Sequence, residues 1–276
     1  MNSIPDVMHF CLRSTHIVFG ALSLLLFWLI LFLQKGTSRH QMLGSGFVVC
    51  SIGAGGTALI SAGWALLHLE TFVPEILEMP KHLADNLREG HRFVYSIMLF
   101  LAVATLSGAL YGFYSVRFRG DVVGLRRTVV PALQAASFIT GFGLMVFGGS
   151  HVVFGIAMDR QVFSAYWAPL LIGTIGCVAS AKQLGQLWRP LKDSREWLYR
   201  HVEHMSGTGT ALHAAFVVFG ARTWLTPHLK GYVVFLPALI PVIVGGVATK
   251  WYIARLKRRS VSPVFLGPAD TGRRPL

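Results

Sequence analysis

Charge is scarce in this chain. Asp, Glu, Lys and Arg together make up 13% of it, against about 25% in ordinary soluble domains. With 53% hydrophobic residues, that scarcity excludes a soluble globular domain and points to a membrane protein. Acidic residues are the scarcest class, 12 against 25 Lys and Arg, for a net charge of +13. Such a balance could suit nucleic acid, but the basic residues fall in short clusters between apolar segments, the pattern of the positive-inside rule. A nucleic-acid partner is excluded on that ground. Only three cysteines occur, Cys11, Cys50 and Cys177, too few for a disulfide framework. No CxxC pair, glycine-rich phosphate loop or HExxH motif is present, which removes the common redox, nucleotide and zinc-protease signatures. The N-terminus has neither a basic n-region nor a small-residue cleavage pattern, so the first apolar segment is expected to be a retained transmembrane helix.

What the chain does contain is apolar runs of about 20 residues, each long enough to cross a bilayer. Seven are expected, at 12–33, 43–67, 92–115, 129–156, 163–182, 202–222 and 232–254. Basic connections carry Lys35 and Arg39, then Arg117 to Arg127, then Arg189 to Arg200, and the tail carries Arg255 to Arg259. They alternate with connections that are acidic, mixed or short: 68–91 with Glu70, Glu75, Glu78, Asp85 and Glu89, then Asp159-Arg160, then 223–231. The alternation requires an odd number of spans, with the N-terminus outside and the C-terminus inside. The expected fold is an all-α polytopic membrane bundle, one domain over 1–260, with a disordered cytoplasmic tail at 261–276 rich in Pro and Gly.

Three local features refine this. The second span is crowded with small residues, Gly44, Gly46, Gly53, Gly55, Gly56, Ser61 and Gly63, which let helices approach closely in lipid and predict a central helix. The fourth span contains Gly148-Gly149-Ser150, where the helix could tilt or break. In the connection at 68–91, Leu69, Phe72, Val73, Ile76, Leu77 and Leu83 predict a short amphipathic helix on the membrane surface.

Histidines are the candidate chemistry, because ionisable residues inside a membrane are costly and mark function. His16, His151 and His213 lie within apolar runs on three different helices, and the topology puts all three on the outer side. They are the expected ligands of a haem or a transition metal (Fe, Cu or Zn), since neutral imidazole suits these ions. His68 and Glu70 are the expected proton-handling groups at the mouth of that site. On the inner face, His40 opposite His201 is a candidate cofactor-binding pair, and the basic side chains there can meet anionic lipid. The three histidines of the sixth span cannot close on one ion by themselves. At about 100° and about 1.5 Å per residue, His204 is roughly 60° from His201, and His213 is roughly 120° and 18 Å away.

The opening His16…Gly20, the turn Lys35-Gly36…His40…Gly44, and Trp197…His201…Met205 followed by Ala211…Ala215-Phe216 resemble an uncharacterised family of bacterial polytopic membrane proteins. The resemblance covers roughly half the chain and implies a helical bundle in the bacterial inner membrane. It carries over no reaction. The residues lead to a histidine-lined intramembrane site serving redox chemistry on a lipid-soluble substrate such as a quinone. The rival readings are a transporter of a small solute and, less favoured, a zinc-dependent lipid hydrolase.

Overall fold

The computed structural model describes residues 4–119, 121–155, 160–191, 193–221, 224 and 237–261. Among them the chain is all-helical, in the order α1 (Ile4–Phe32), α2 (Ser38–Leu67), α3 (Leu69–Phe72), a 3₁₀ turn (Pro74–Leu77), α4 (Lys81–Phe118), α5 (Val122–Arg126), α6 (Val130–Gly155), α7 (Arg160–Trp188), α8 (Glu196–Ala215) with a π-helical turn (Phe216–Gly220), and α9 (Leu239–Val261). Five helices, α1, α2, α4, α6 and α9, are long and apolar enough to cross a membrane. The expected connection at 223–231 and the tail beyond Val261 lie outside the described residues, apart from Trp224.

Polar side chains are buried among the apolar core of the bundle, and large apolar side chains face outward. Ser23, Ser51, Thr105, Ser107, Gln134, Ser137, Ser180 and Thr208 are buried, whereas Ile17, Leu25, Trp28, Ile139, Val178, Ile243 and Val247 are exposed. In water that arrangement would be unfavourable. In lipid it is the favourable one, because hydrocarbon contacts cost apolar side chains nothing and polar groups must pair internally. This is a membrane protein.

The helix at the centre is α4. More than half of its most apolar stretch is buried (56%), against 39% for α2 and 6% for α1. The small residues of α2 do serve close approach, as a Cβ on Gly53 would strike Phe19 of α1 and one on Gly55 would strike Leu106 of α4. So α2 is flanked on two sides rather than surrounded. Gly148-Gly149-Ser150 does not break α6 either. Ser150 Oγ donates to Phe147 O at 2.9 Å instead of capping a new helix. A Cβ on Gly148 would lie 2.5 Å from Leu170 N, and one on Gly173 would lie 2.4 Å from Met145 N. These glycines bring the backbones of α6 and α7 together.

The connection at 68–91 also differs from expectation. Pro80 starts α4 at Lys81, eleven residues before the expected span. Leu69, Ile76 and Ala84 are buried against Val73, Met79, Leu87 and Tyr95. Of the apolar residues that suggested a surface helix, Leu69 and Ile76 fold inward as a cap on the top of α4, Phe72 and Val73 are half-buried, and Leu77 and Leu83 stay exposed. At the opposite end the basic connections meet: Arg119 lies over Trp197, Arg126 over Trp188 and Lys257 over Tyr199. The molecule thus has an acidic end and a basic end.

Candidate functional site

Along α4, Glu89, Phe93, Ile97, Phe100, Ser107 and Tyr111 lie within about 80° of one another at 100° per residue. One stripe therefore has a carboxylate at the acidic end, three apolar residues in the middle and polar groups at the basic end. Glu89 and Tyr111 are about 33 Å apart on the axis at 1.5 Å per residue, close to the thickness of a bilayer core.

At the acidic end the stripe meets α6 and α7. His151 Nδ1 is 2.8 Å from Phe147 O, and a carbonyl only accepts, so Nδ1 carries a hydrogen. Nε2 is then left to face Glu89 Oε1, with which it forms a short pair. A hydrogen bond between these two atoms requires one proton, carried by either the imidazole or the carboxyl. Tyr166 stacks on the His151 ring with centroids 4.3 Å apart, and its hydroxyl faces Glu89. Both side chains are partly exposed, His151 at 28% and Glu89 at 41%. Immediately beneath, Phe93, Ile97, Phe100 and Leu144 close into an apolar core. A carboxylate, an imidazole and a phenol in one partly exposed contact group can accept and release protons.

The structure holds His16, His151 and His213 by separate partners. His16 Nδ1 donates to Ala54 O at 3.0 Å and lies 3.4 Å from Thr57 Oγ1, tying α1 to α2. His213 Nδ1 donates to Gly209 O at 2.7 Å while its Nε2 accepts from Trp28 Nε1 at 2.9 Å, tying α8 to α1. Neither nitrogen of His213 is left for a metal in this arrangement. Among the described residues no group of three or more His, Cys, Asp or Glu side chains is placed to hold a metal ion.

The other expected pairs are each brought together. His68 and Glu70 line one cavity at the acidic end with Thr71, Arg88 and Arg92, although Glu70 is engaged by Arg88 at 2.9 Å. At the basic end His40 and His201 lie within electrostatic reach of each other. His201 Nδ1 donates to Gly112 O at 2.9 Å, and His40 Nδ1 is buried with no partner in the protein.

Sequence reasoning missed Glu89 and Tyr166 at the acidic end, and Tyr111, Gln134 and His204 at the basic end. Glu89 was hidden by starting the third span at 92. With α4 begun after Pro80, the periodicity of its stripe would have exposed the carboxylate. His204 carried no signal, because a histidine near a span boundary is ordinarily solvated, whereas here it is only 2% exposed.

No protein-family model matches the chain, and no curated protein or solved structure is similar to it.

Proposed function

We propose that this chain is a seven-pass protein of the bacterial inner membrane that couples proton movement to the passage of a small solute. Location and orientation rest on the charge alternation and on the resemblance of the His16–Gly44 and Trp197–Phe216 motifs. The coupling rests on one observation, the Glu89–His151–Tyr166 cluster. It gathers a carboxyl, an imidazole and a phenol at one end of α4, over an apolar plug that separates them from a second polar site at the other end. Proton relays in membranes are built from such Glu and His groups. Proteoliposomes carrying a lumenal pH-sensitive dye, given a pH gradient and a panel of small acids, amines and sugars, test the reading. Solute-stimulated proton flux is expected in the parent and not in Glu89→Gln. Undiminished flux in both Glu89→Gln and His151→Ala removes the cluster from the path, and an absence of flux with every solute counts against transport.

A second reading, redox chemistry on a quinone with a haem or a transition metal, is favoured by His40 and His201. An imidazole oriented through Nδ1 by a backbone carbonyl is the arrangement metal-binding histidines use. Visible absorption and elemental analysis of the purified protein decide it: a Soret band or stoichiometric iron, copper or zinc, lost in His201→Ala, would replace the transport reading.

A further inference from the structure

The basic half of the α4 stripe holds polar groups whose burial the protein itself does not compensate. His204 of α8 is 2% exposed and stacks flat on Tyr111 of α4, with centroids 3.8 Å apart and planes at 15°. Neither ring nitrogen of His204 has a hydrogen-bond partner in the protein, although a neutral imidazole always presents one N–H donor and one lone pair. Ser107 Oγ, one turn from Tyr111 on α4, is also unpartnered. So are both amide atoms of Gln134, which is 0% exposed and sits one turn along α6 from Val130, a residue packed with Tyr111. The Tyr111 hydroxyl lies beside the Arg200 guanidinium without forming a hydrogen bond of ordinary geometry. Unpartnered groups on α4, α6 and α8 around one tyrosine are too many to be chance, since each costs the full desolvation of a polar group.

The surrounding charges are balanced. Arg200 pairs with Glu196 and Lys182 with Glu203, and among the described residues His201 and Tyr111 also lie within reach of His204. A group of buried donors and acceptors with balanced charge calls for an uncharged ligand that both donates and accepts. An approach to it exists. A pocket at the basic end is lined by Ser115, Asp121, Leu125, Trp197 and Arg200; Leu125 packs on Tyr111 and Arg200 sits beside its hydroxyl.

We infer that this seam is hydrated from the basic end and that His204 is the proton relay there. Water entering past Arg200 hydrogen-bonds Tyr111, His204 and Gln134. A hydronium gives its proton to the lone-pair nitrogen of His204, and the N–H on the opposite nitrogen releases one to the next water. The imidazole ends as the other tautomer with no net change in charge. The relay role rests on the proton-coupled reading; the hydration does not.

Radiolytic hydroxyl footprinting of the full chain in detergent, read by mass spectrometry, tests the hydration, because buried side chains are modified only where water touches them. Tyr111 and His204 should be modified at rates comparable with the exposed Trp188, while Phe100 in the apolar plug stays unmodified. If Tyr111 and His204 are as silent as Phe100, the seam is dry and the inference fails. Thermal unfolding gives an independent reading. In a dry seam Tyr111→Phe and Gln134→Met remove an unpaired polar group and raise Tm; in a hydrated one both lower it. The relay is tested by His204→Gln, which keeps hydrogen bonding without carrying a proton. Tyr111 should still be modified in that variant while proton flux in proteoliposomes is lost. Normal flux in His204→Gln overturns the relay and leaves the Glu89 cluster unaffected, so the two proposals fail separately.

Discussion

His213 and His151 show how one residue type takes two roles from its partners. His213 has both nitrogens occupied by Gly209 O and Trp28 Nε1 and is flanked edge-on by Phe27 and Trp28. That is a structural tie between α1 and α8. Interhelical hydrogen bonds in membranes average about 0.6 kcal/mol, so His213→Ala should lower Tm slightly and leave transport intact; loss of transport or of bound metal would restore it as a site residue. His151 shares its Nε2 with a carboxylate, so His151→Ala should abolish proton flux. The stability cost should stay near 1 kcal/mol or less, as for other partly exposed pairs. A residue outside the membrane supplies a pH test. Arg195 N donates to the Asp193 carboxylate at 3.0 Å, with Tyr199 and Ser194 adding weaker bonds, which holds Asp193 below its usual 3.8. Its contribution to stability is therefore present above pH 3.8 and is lost as pH falls through the lowered value. Asp193→Asn should flatten that part of the acid-denaturation curve; an unchanged acid limb would show that the turn contributes nothing.

Among the elements, the α6–α7 pair offers the sharpest contrast. Gly173 sits where a Cβ would reach Met145 N at 2.4 Å, whereas a Cβ on Gly143 meets nothing within 4 Å. Backbone cannot move aside as a flexible side chain can, so Gly173→Ala must part the helices and should cost about 1–3 kcal/mol. Gly143→Ala should be neutral or stabilise by up to about 1 kcal/mol, the helical preference for Ala over Gly. Equal Tm values for the two variants would sink this account of the seam. The same glycines explain what could and could not be read from the sequence. Gly148-Gly149-Ser150 has the composition of a break and of a close packing face alike, and only the partner helix decides between them. The inward turn of Leu69 and Ile76 was illegible for a similar reason. Apolar residues among acids suit a membrane surface or a cap equally, and what selected the cap was the early start of α4 after Pro80, which brought Leu87 and Tyr95 beneath them.

At the scale of the whole molecule, composition was enough to read the all-helical membrane architecture, because apolar runs of bilayer length have few other uses. The site was less legible, since it depends on which faces meet: Glu89 and Tyr166 gain meaning only in contact with His151. The number of crossings depends on α7 and α8, neither of which ranks among the five helices apolar enough to cross alone. For α8 the physical reason is plain. It carries Glu196, Arg200, His201, Glu203 and His204 in its first nine residues, and it shelters Arg200 and His204 against α4. Such a helix enters the membrane with its neighbours rather than by its own hydropathy. If it crosses, α9 begins outside and ends inside, which carries the last basic cluster to the same side as Lys35, Arg119 and Arg126. A reporter fused after Arg259 should then behave as cytoplasmic and one inserted near Glu78 as periplasmic. If α8 alone lies on the surface instead, the number of crossings becomes even and the two reporters lie on the same side of the membrane. Opposite sides with Arg259 inside support an odd number of crossings with α7 and α8 both in the membrane or both out of it; the same side for both would take one of the two out.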